Sequence, residues 1–178
     1  MRRLIIRTLS ICLLVGLVAA PDLAAQEKGS KAILEACSGP EHRQFDFWLG
    51  DWQVTDTAGS ALGSNVITRV ASGCGLFESW TSGGSGFAGN SLNWYDVGAG
   101  QWKQIWVGLG LYLDLSGSME GDRMVLSGER ETPEGTVIDR ISWIPMGDGR
   151  VRQLWETSND RGATWEPAFD GIYALRKK

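Results

Sequence analysis

The chain has 178 residues, with 17 basic and 21 acidic side chains, one histidine and a net charge of −4. An acidic chain without a basic run cannot neutralise a phosphate backbone well, which argues against nucleic-acid binding. Twenty-four glycines against five prolines, with nine tryptophans and three cysteines, describe a turn-rich, aromatic-rich chain with one core.

Residues 1–25 read as a secretory signal: a basic start (Arg2, Arg3, Arg7), an apolar run from Leu9 to Ala20, and small residues before a cut after Ala25. The run falls short of the ~20 apolar residues that a spanning helix needs. Cys12 follows Ile11 rather than a small residue, which argues against a lipoprotein signal. The expected product is exported to the periplasm or beyond. It has about 150 residues and carries 14 basic against 20 acidic side chains, a charge of −6. No later segment reads as a membrane-spanning helix.

Residues 26–44 form a lead-in, with a short helix expected from Lys31 to Cys37 and a helical turn from Glu41 to Phe47. Cys37 and Cys74 are the two cysteines left after cleavage. An oxidising compartment favours their joining, so a Cys37–Cys74 bridge is expected. Two cysteines and His42 are too few for a metal centre. His42 reads as a surface or capping residue.

The domain proper spans 45–178 and opens with "FDFWLGDW". Trp52 is expected to point inward, with Phe45, Phe47 and Trp48 sealing one end of a core. Short β-branched and aromatic stretches follow, separated by glycine turns every ten to fifteen residues. They predict ten strands: Trp52–Thr57, Ser64–Ser72, Leu76–Thr81, Asn90–Asp96, Trp102–Leu109, Leu111–Met119, Arg123–Glu131, Val137–Ile144, Val151–Thr157 and Ala168–Leu175. Without helices between them, they predict an all-β fold, an up-and-down antiparallel barrel of about ten strands that closes on itself. "SGGSGFAG" is expected to form a lid at the open end.

"KQIW" (Lys103–Trp106) and "RQLW" (Arg152–Trp155) echo each other. Alternate residues share a face of a strand. A cation is cheaper outside, so Gln104 with Trp106, and Gln153 with Trp155, are expected inside. Ile105, Val107 and Leu154 are then left on the outer wall. "SNDRGATW" resembles the Asp-box hairpin of sialidases: Asp160 accepts turn amides, Gly162 takes positive φ and Trp165 covers the turn. In those proteins the element is structural. "YDVGAGQW" (Tyr95–Trp102) resembles a looser version.

Gly50-Asp51-Trp52 before the first strand resembles the lipocalin and wider calycin barrels. That likeness implies that Trp52 plugs the closed end and that Arg176, in "YALRKK", packs across its indole. A broader resemblance runs through "PEHRQFDFWLGDWQV", "GCGLFESW", "SLNWYD", "QWKQIWV", "RVRQLWETSNDRGATW" and "FDGIYALR". It is to uncharacterised secreted bacterial proteins with an expected lipocalin-like barrel; it supports the cysteine pair and transfers no catalytic residue. Nitrobindin-type barrels hold haem through a late histidine. This chain has none after His42, so no cofactor is expected.

Three functions remain open from the sequence. The first is a barrel that binds a small apolar or aromatic ligand. Its site would comprise Trp80, Asn93, Tyr95, Gln104, Trp106, Arg140, Gln153 and Trp155. The second is a cofactor-free isomerase, lyase or hydrolase using Glu78, Tyr95 and Arg140. Glu78 and Glu156 are its acid/base candidates and the available partners for an inward Arg140. The third is a barrel filled by its own tryptophans, with a structural or interaction role.

Overall fold

The computed structural model describes residues 37–177 together with Lys28. The segment expected to be a secretory signal lies outside these residues. So does the helix expected from Lys31, except for Cys37, which stands in a turn. The alternating stretches form ten strands: β1 (Gly50–Thr55), β2 (Ala61–Val70), β3 (Gly75–Ser82), β4 (Ala88–Asp96) and β5 (Gln101–Gly108), then β6 (Leu111–Glu120), β7 (Arg123–Thr132), β8 (Gly135–Pro145), β9 (Val151–Ser158) and β10 (Glu166–Leu175). Each pairs antiparallel with the next. β10 returns to β1, with Trp52 opposite Leu175, and the sheet closes. Closure leaves no unpaired edge to template aggregation. All ten expected strands are present in order, with ends within three residues of expectation. Among the described residues no helix is long and apolar enough to cross a membrane.

The opening aromatic stretch forms the barrel's floor. Two 3-10 turns, Pro40–Arg43 and Asp46–Trp48, carry Phe45 and Trp48 under the lower ends of the strands, where both are fully buried. Phe45 stacks on Trp48 at 4.9 Å and meets Trp102 and Trp143 edge-on at 5.5 and 5.0 Å. Offset and edge-on contacts of this kind suit the aromatic quadrupole. Trp52 Nε1 donates to the Trp48 carbonyl (3.0 Å) and Trp102 Nε1 to Gln44 Oε1 (3.2 Å), which ties the turns to β1 and β5.

Two expectations at this end are corrected. Arg176 does not lie across Trp52. Its Nε pairs with Asp51 Oδ1 at 3.4 Å, while the edge of Trp52 meets Tyr173. Asp51 is next to the plug in sequence but on the opposite strand face, and it draws the cation outward. His42 is buried rather than superficial, with its ring edge-on to Tyr95 at 5.3 Å. The 3-10 turn rotates it under the barrel instead of leaving it at a solvent-facing cap.

The expected end of β2 is replaced by a 3-10 turn at Ala71–Gly73. Ala71, Ser72 and Gly73 all have positive φ there, at 50°, 54° and 98°. For Ala and Ser this conformation costs roughly 1–2 kcal/mol each. Cross-links offset the cost: the Cys37–Cys74 disulfide closes next to the turn, and Arg43 Nη2 donates to the carbonyls of both Cys37 (2.7 Å) and Gly73 (2.6 Å).

At the opposite end, the β9–β10 connection has the Asp-box geometry. Asp160 accepts from Ser158 Oγ, Thr164 N and Thr164 Oγ1, and Trp165 Nε1 donates to the Gly162 carbonyl. The Thr164 hydroxyl, followed by the Thr164 amide, holds the Asp160 carboxyl down to about 2. A carboxylate with a depressed pKa stabilises the fold fully above its unfolded value of 3.8 and loses that contribution as pH falls through about 2. Asp160→Ala is expected to raise amide exchange in residues 159–165 at neutral pH and to remove the acid-induced loosening expected below pH 3.8 in the parent. Hydrogen exchange checks both effects.

Candidate functional site

Above the floor the barrel is hollow. A cavity of about 360 Å³ lies between the upper halves of the strands, within the range of roughly 300–1,000 Å³ typical of ligand pockets. Its walls are Trp80 (β3), Trp106 (β5), Trp155 (β9) and Phe169 (β10), with Leu113 and Ile141 below them. Leu62, Ser82, Phe87, Leu109 and Leu111 make the rim. Phe87 belongs to the glycine-rich β3–β4 loop, which sits at the mouth as expected.

The cavity stays open because large inward rings lie against glycines. A Cβ on Gly89 would come within 2.4 Å of the Trp106 indole, and one on Gly108 within 2.6 Å. Gly63 is related in the same way to Trp80 (2.9 Å), and Gly171 to the Phe169 ring (2.6 Å). The rings therefore flatten onto the wall where a neighbouring strand has no side chain. Gly89→Ala is expected to push Trp106 into the lumen and shrink the cavity, with β4 still paired. A crystal structure of the variant checks this.

A buried hydrogen-bond network forms the base of the cavity. Its polarity follows from the Leu76 carbonyl, which can only accept. Asn93 Nδ2 donates to that carbonyl (3.3 Å) and to Ser91 Oγ (2.8 Å). Ser91 in turn donates to Glu78 Oε2 (2.6 Å), and Asn65 Nδ2 donates to Glu78 Oε1 (2.7 Å). Gln104 Nε2 donates to Asn93 Oδ1 (2.7 Å), which leaves Gln104 Oε1 buried without a protein partner. The Tyr173 hydroxyl donates to Gln153 Oε1 and accepts from Asn65.

Burial pushes the Glu78 carboxyl above its usual 4.5, against the lowering effect of Ser91 and Asn65. Burial, reinforced by the charge of Glu78, pushes the Tyr173 hydroxyl well above 10. The sign of the Glu78 effect on stability follows from proton counting. The folded state keeps a proton that the unfolded state loses near pH 4.5, so stability falls as pH rises above that value, until the folded carboxyl has ionised. Glu78→Gln is expected to flatten this slope. Its new amide can donate to Asn65 Oδ1, which lacks a partner, once the Asn65 amide turns over. Urea midpoints at pH 5 and pH 8 check it: the parent's falls between the two and the variant's does not.

The structure brings Glu78, Trp80, Gln104, Trp106, Gln153 and Trp155 together around one cavity. Asn93 lies behind it and orients Gln104. The other three sequence candidates are elsewhere. Tyr95 faces inward at the floor, edge-on to Trp102 and His42. Arg140 and Glu156 face outward and pair with each other at 2.9 Å, with the Arg140 guanidinium 3.8 Å over Trp165. They border a separate hollow of about 160 Å³ on the outer wall, together with Leu154. Ladder partners share a face of the sheet, which keeps Glu156 beside Arg140. Turned outward, it meets Glu156 directly across the β8–β9 ladder.

The sequence reading missed Asn65, Ser91, Tyr173, Phe169 and Asp139. Asp139 is buried, accepting from Trp155 Nε1 (2.8 Å) and Arg130 Nε (2.7 Å), and so fixes one indole of the wall. Val137, Ile141 and Trp143, which share its face, were the available signal. Ser91 could have been found in the same way, from Asn93.

No protein-family model matches this chain, and no curated protein matches it significantly.

Proposed function

We propose that this protein is an exported binding barrel of lipocalin-like type. Residues 1–25 are a cleaved signal, 26–44 a lead-in and 45–178 the barrel, which shelters a small apolar or aromatic ligand in the periplasm or outside the cell. The observation that carries this reading is the cavity of about 360 Å³, with three indoles and a phenyl ring on its walls and a polar network at its base. Pockets of that make-up take ligands by apolar burial and orient them with a few polar groups. The disulfide suits an oxidising compartment. The glycine-rich loop with Phe87 is the lid.

The enzyme reading has less support. Glu78 borders the cavity, but Tyr95 lies at the floor and Arg140 outside the wall, so the three groups do not meet around a substrate. A barrel filled by its own side chains is at odds with the open interior.

Tryptophan fluorescence against a library of apolar and aromatic compounds tests the proposal. Saturable responses are expected, weakened at least tenfold in Gly89→Ala. A flat response across the library would end the binding reading.

A further inference from the structure

Electrostatically, the cavity is one-sided. Of the fifteen residues around it, one is acidic, Glu78, and none is basic. Its other polar groups are neutral: Ser82, Gln104, Gln153 and Tyr173. Gln104 is 1% exposed and keeps Oε1 unpaired, although its amide donates to Asn93; Asn65 Oδ1, deeper in the same network, is also unpaired. An unfilled buried acceptor costs free energy that a donor from a ligand would recover. Both Glu78 oxygens already accept protein hydrogen bonds, an arrangement that suits a carboxylate, yet no cation among the described residues pairs with it. Around this acid stand Trp80, Trp106, Trp155 and Phe169, whose ring faces attract positive charge.

Resting on the binding reading above, we infer that the cavity selects an organic amine in its protonated form, with an apolar or aromatic body. The ammonium sits at the base, where its N–H groups donate to Glu78 and to Gln104 Oε1. The body lies between the indoles. An anion is repelled by Glu78, and a neutral alcohol fills the walls but leaves the acid without a counter-charge. The acidic balance of the chain outside the signal segment attracts cations from solution as well.

Where Glu78 is neutral in the free protein, entry of an ammonium ionises it and one proton leaves to solvent. The titratable group facing Glu78 is Tyr173 of β10, which stays protonated; Asn65 and Ser91, from β2 and β4, are neutral. Arg130 and Asp139, the ion pair that touches the cavity wall through Trp155, are satisfied by each other and by that indole.

Titration calorimetry of the full barrel with three probes of one skeleton tests the inference: 3-phenylpropylamine, 3-phenylpropanol and 3-phenylpropanoate. The amine is expected to bind at least tenfold more tightly than the alcohol, and the acid most weakly. At a pH low enough to leave Glu78 neutral in the free protein, its heat should vary with the ionisation enthalpy of the buffer, as proton release requires. Glu78→Gln should bring amine and alcohol within about twofold of each other. Gln104→Leu, which leaves the acid in place, should reduce the amine's advantage in part and serves if the first variant does not fold. Alcohol or acid binding as tightly as the amine overturns the inference and leaves the binding barrel standing. Silence from all three also overturns it. In that case the wider apolar library decides the parent reading: a response there preserves it, and silence there ends both.

Discussion

Phe45→Ala is expected to cost about 4 kcal/mol of unfolding free energy, in the usual range for deleting a buried aromatic ring. Phe45 is the keystone of the floor. It is fully buried and touches Phe47, Trp48, Trp102 and Trp143, so its ring joins the 3-10 turns to β5 and β8. The Trp102 indole is held by Gln44 and the Trp48 backbone by Trp52, so the surroundings cannot collapse fully into the space left behind. Val97→Ala, at an exposed site in the β4–β5 turn, serves as a control and should stay within about 0.5 kcal/mol of the parent. Urea unfolding measures both. Equal midpoints for the two variants would mean that the floor is not a packed core. Ligand responses at the wall should persist in folded Phe45→Ala, because the floor and the cavity are different layers of the barrel.

Removal of the disulfide is expected to be about as costly. Cys37 and Cys74 are 37 residues apart in sequence, and releasing a loop of that size from the unfolded chain corresponds to about 4 kcal/mol in the loop-entropy treatment. The loop contains all three 3-10 turns, β1 and β2, so the bridge restrains the segment that carries Phe45. It also holds the positive-φ turn at Ala71 and Ser72 in place. The paired change Cys37→Ser with Cys74→Ser should therefore lower the urea midpoint and expose the 3-10 turns to hydrogen exchange first. Combined with Phe45→Ala, the loss should fall short of the sum of the two, because both act on one unit. Full additivity would show that the bridge and the floor are independent.

The fold was legible from the sequence because strand polarity and glycine turns are local signals. Lys103 and Arg152 gave the facing of two strands, and both Gln-Trp pairs do point inward. Depth was not legible. Tyr95 has the same inward facing as Asn93, but it stands one rung lower, opposite Trp102, which places it in the floor instead of the cavity. Rung height depends on the stagger between strands, and no single strand encodes it. Arg140 failed for a different reason. Asp139 and Arg140 are consecutive, so one of two charges had to face inward, and the choice was settled by Arg130, nine residues before Asp139 across the β7–β8 hairpin and inward on β7. The hollow interior was equally hidden. It depends on Gly63 and Gly89 standing behind Trp80 and Trp106 across a strand pair, where register decides the match, and on Gly108 and Gly171 standing two residues from Trp106 and Phe169.

The most direct test of a hollow, aromatic-walled barrel is fluorine NMR of protein labelled with 5-fluorotryptophan, titrated with ligands that alter its fluorescence. Resonances of Trp80, Trp106 and Trp155 should shift saturably, while those of Trp48, Trp102 and Trp143 in the floor stay in place. Shifts confined to the floor, or none at saturating ligand, would contradict the account.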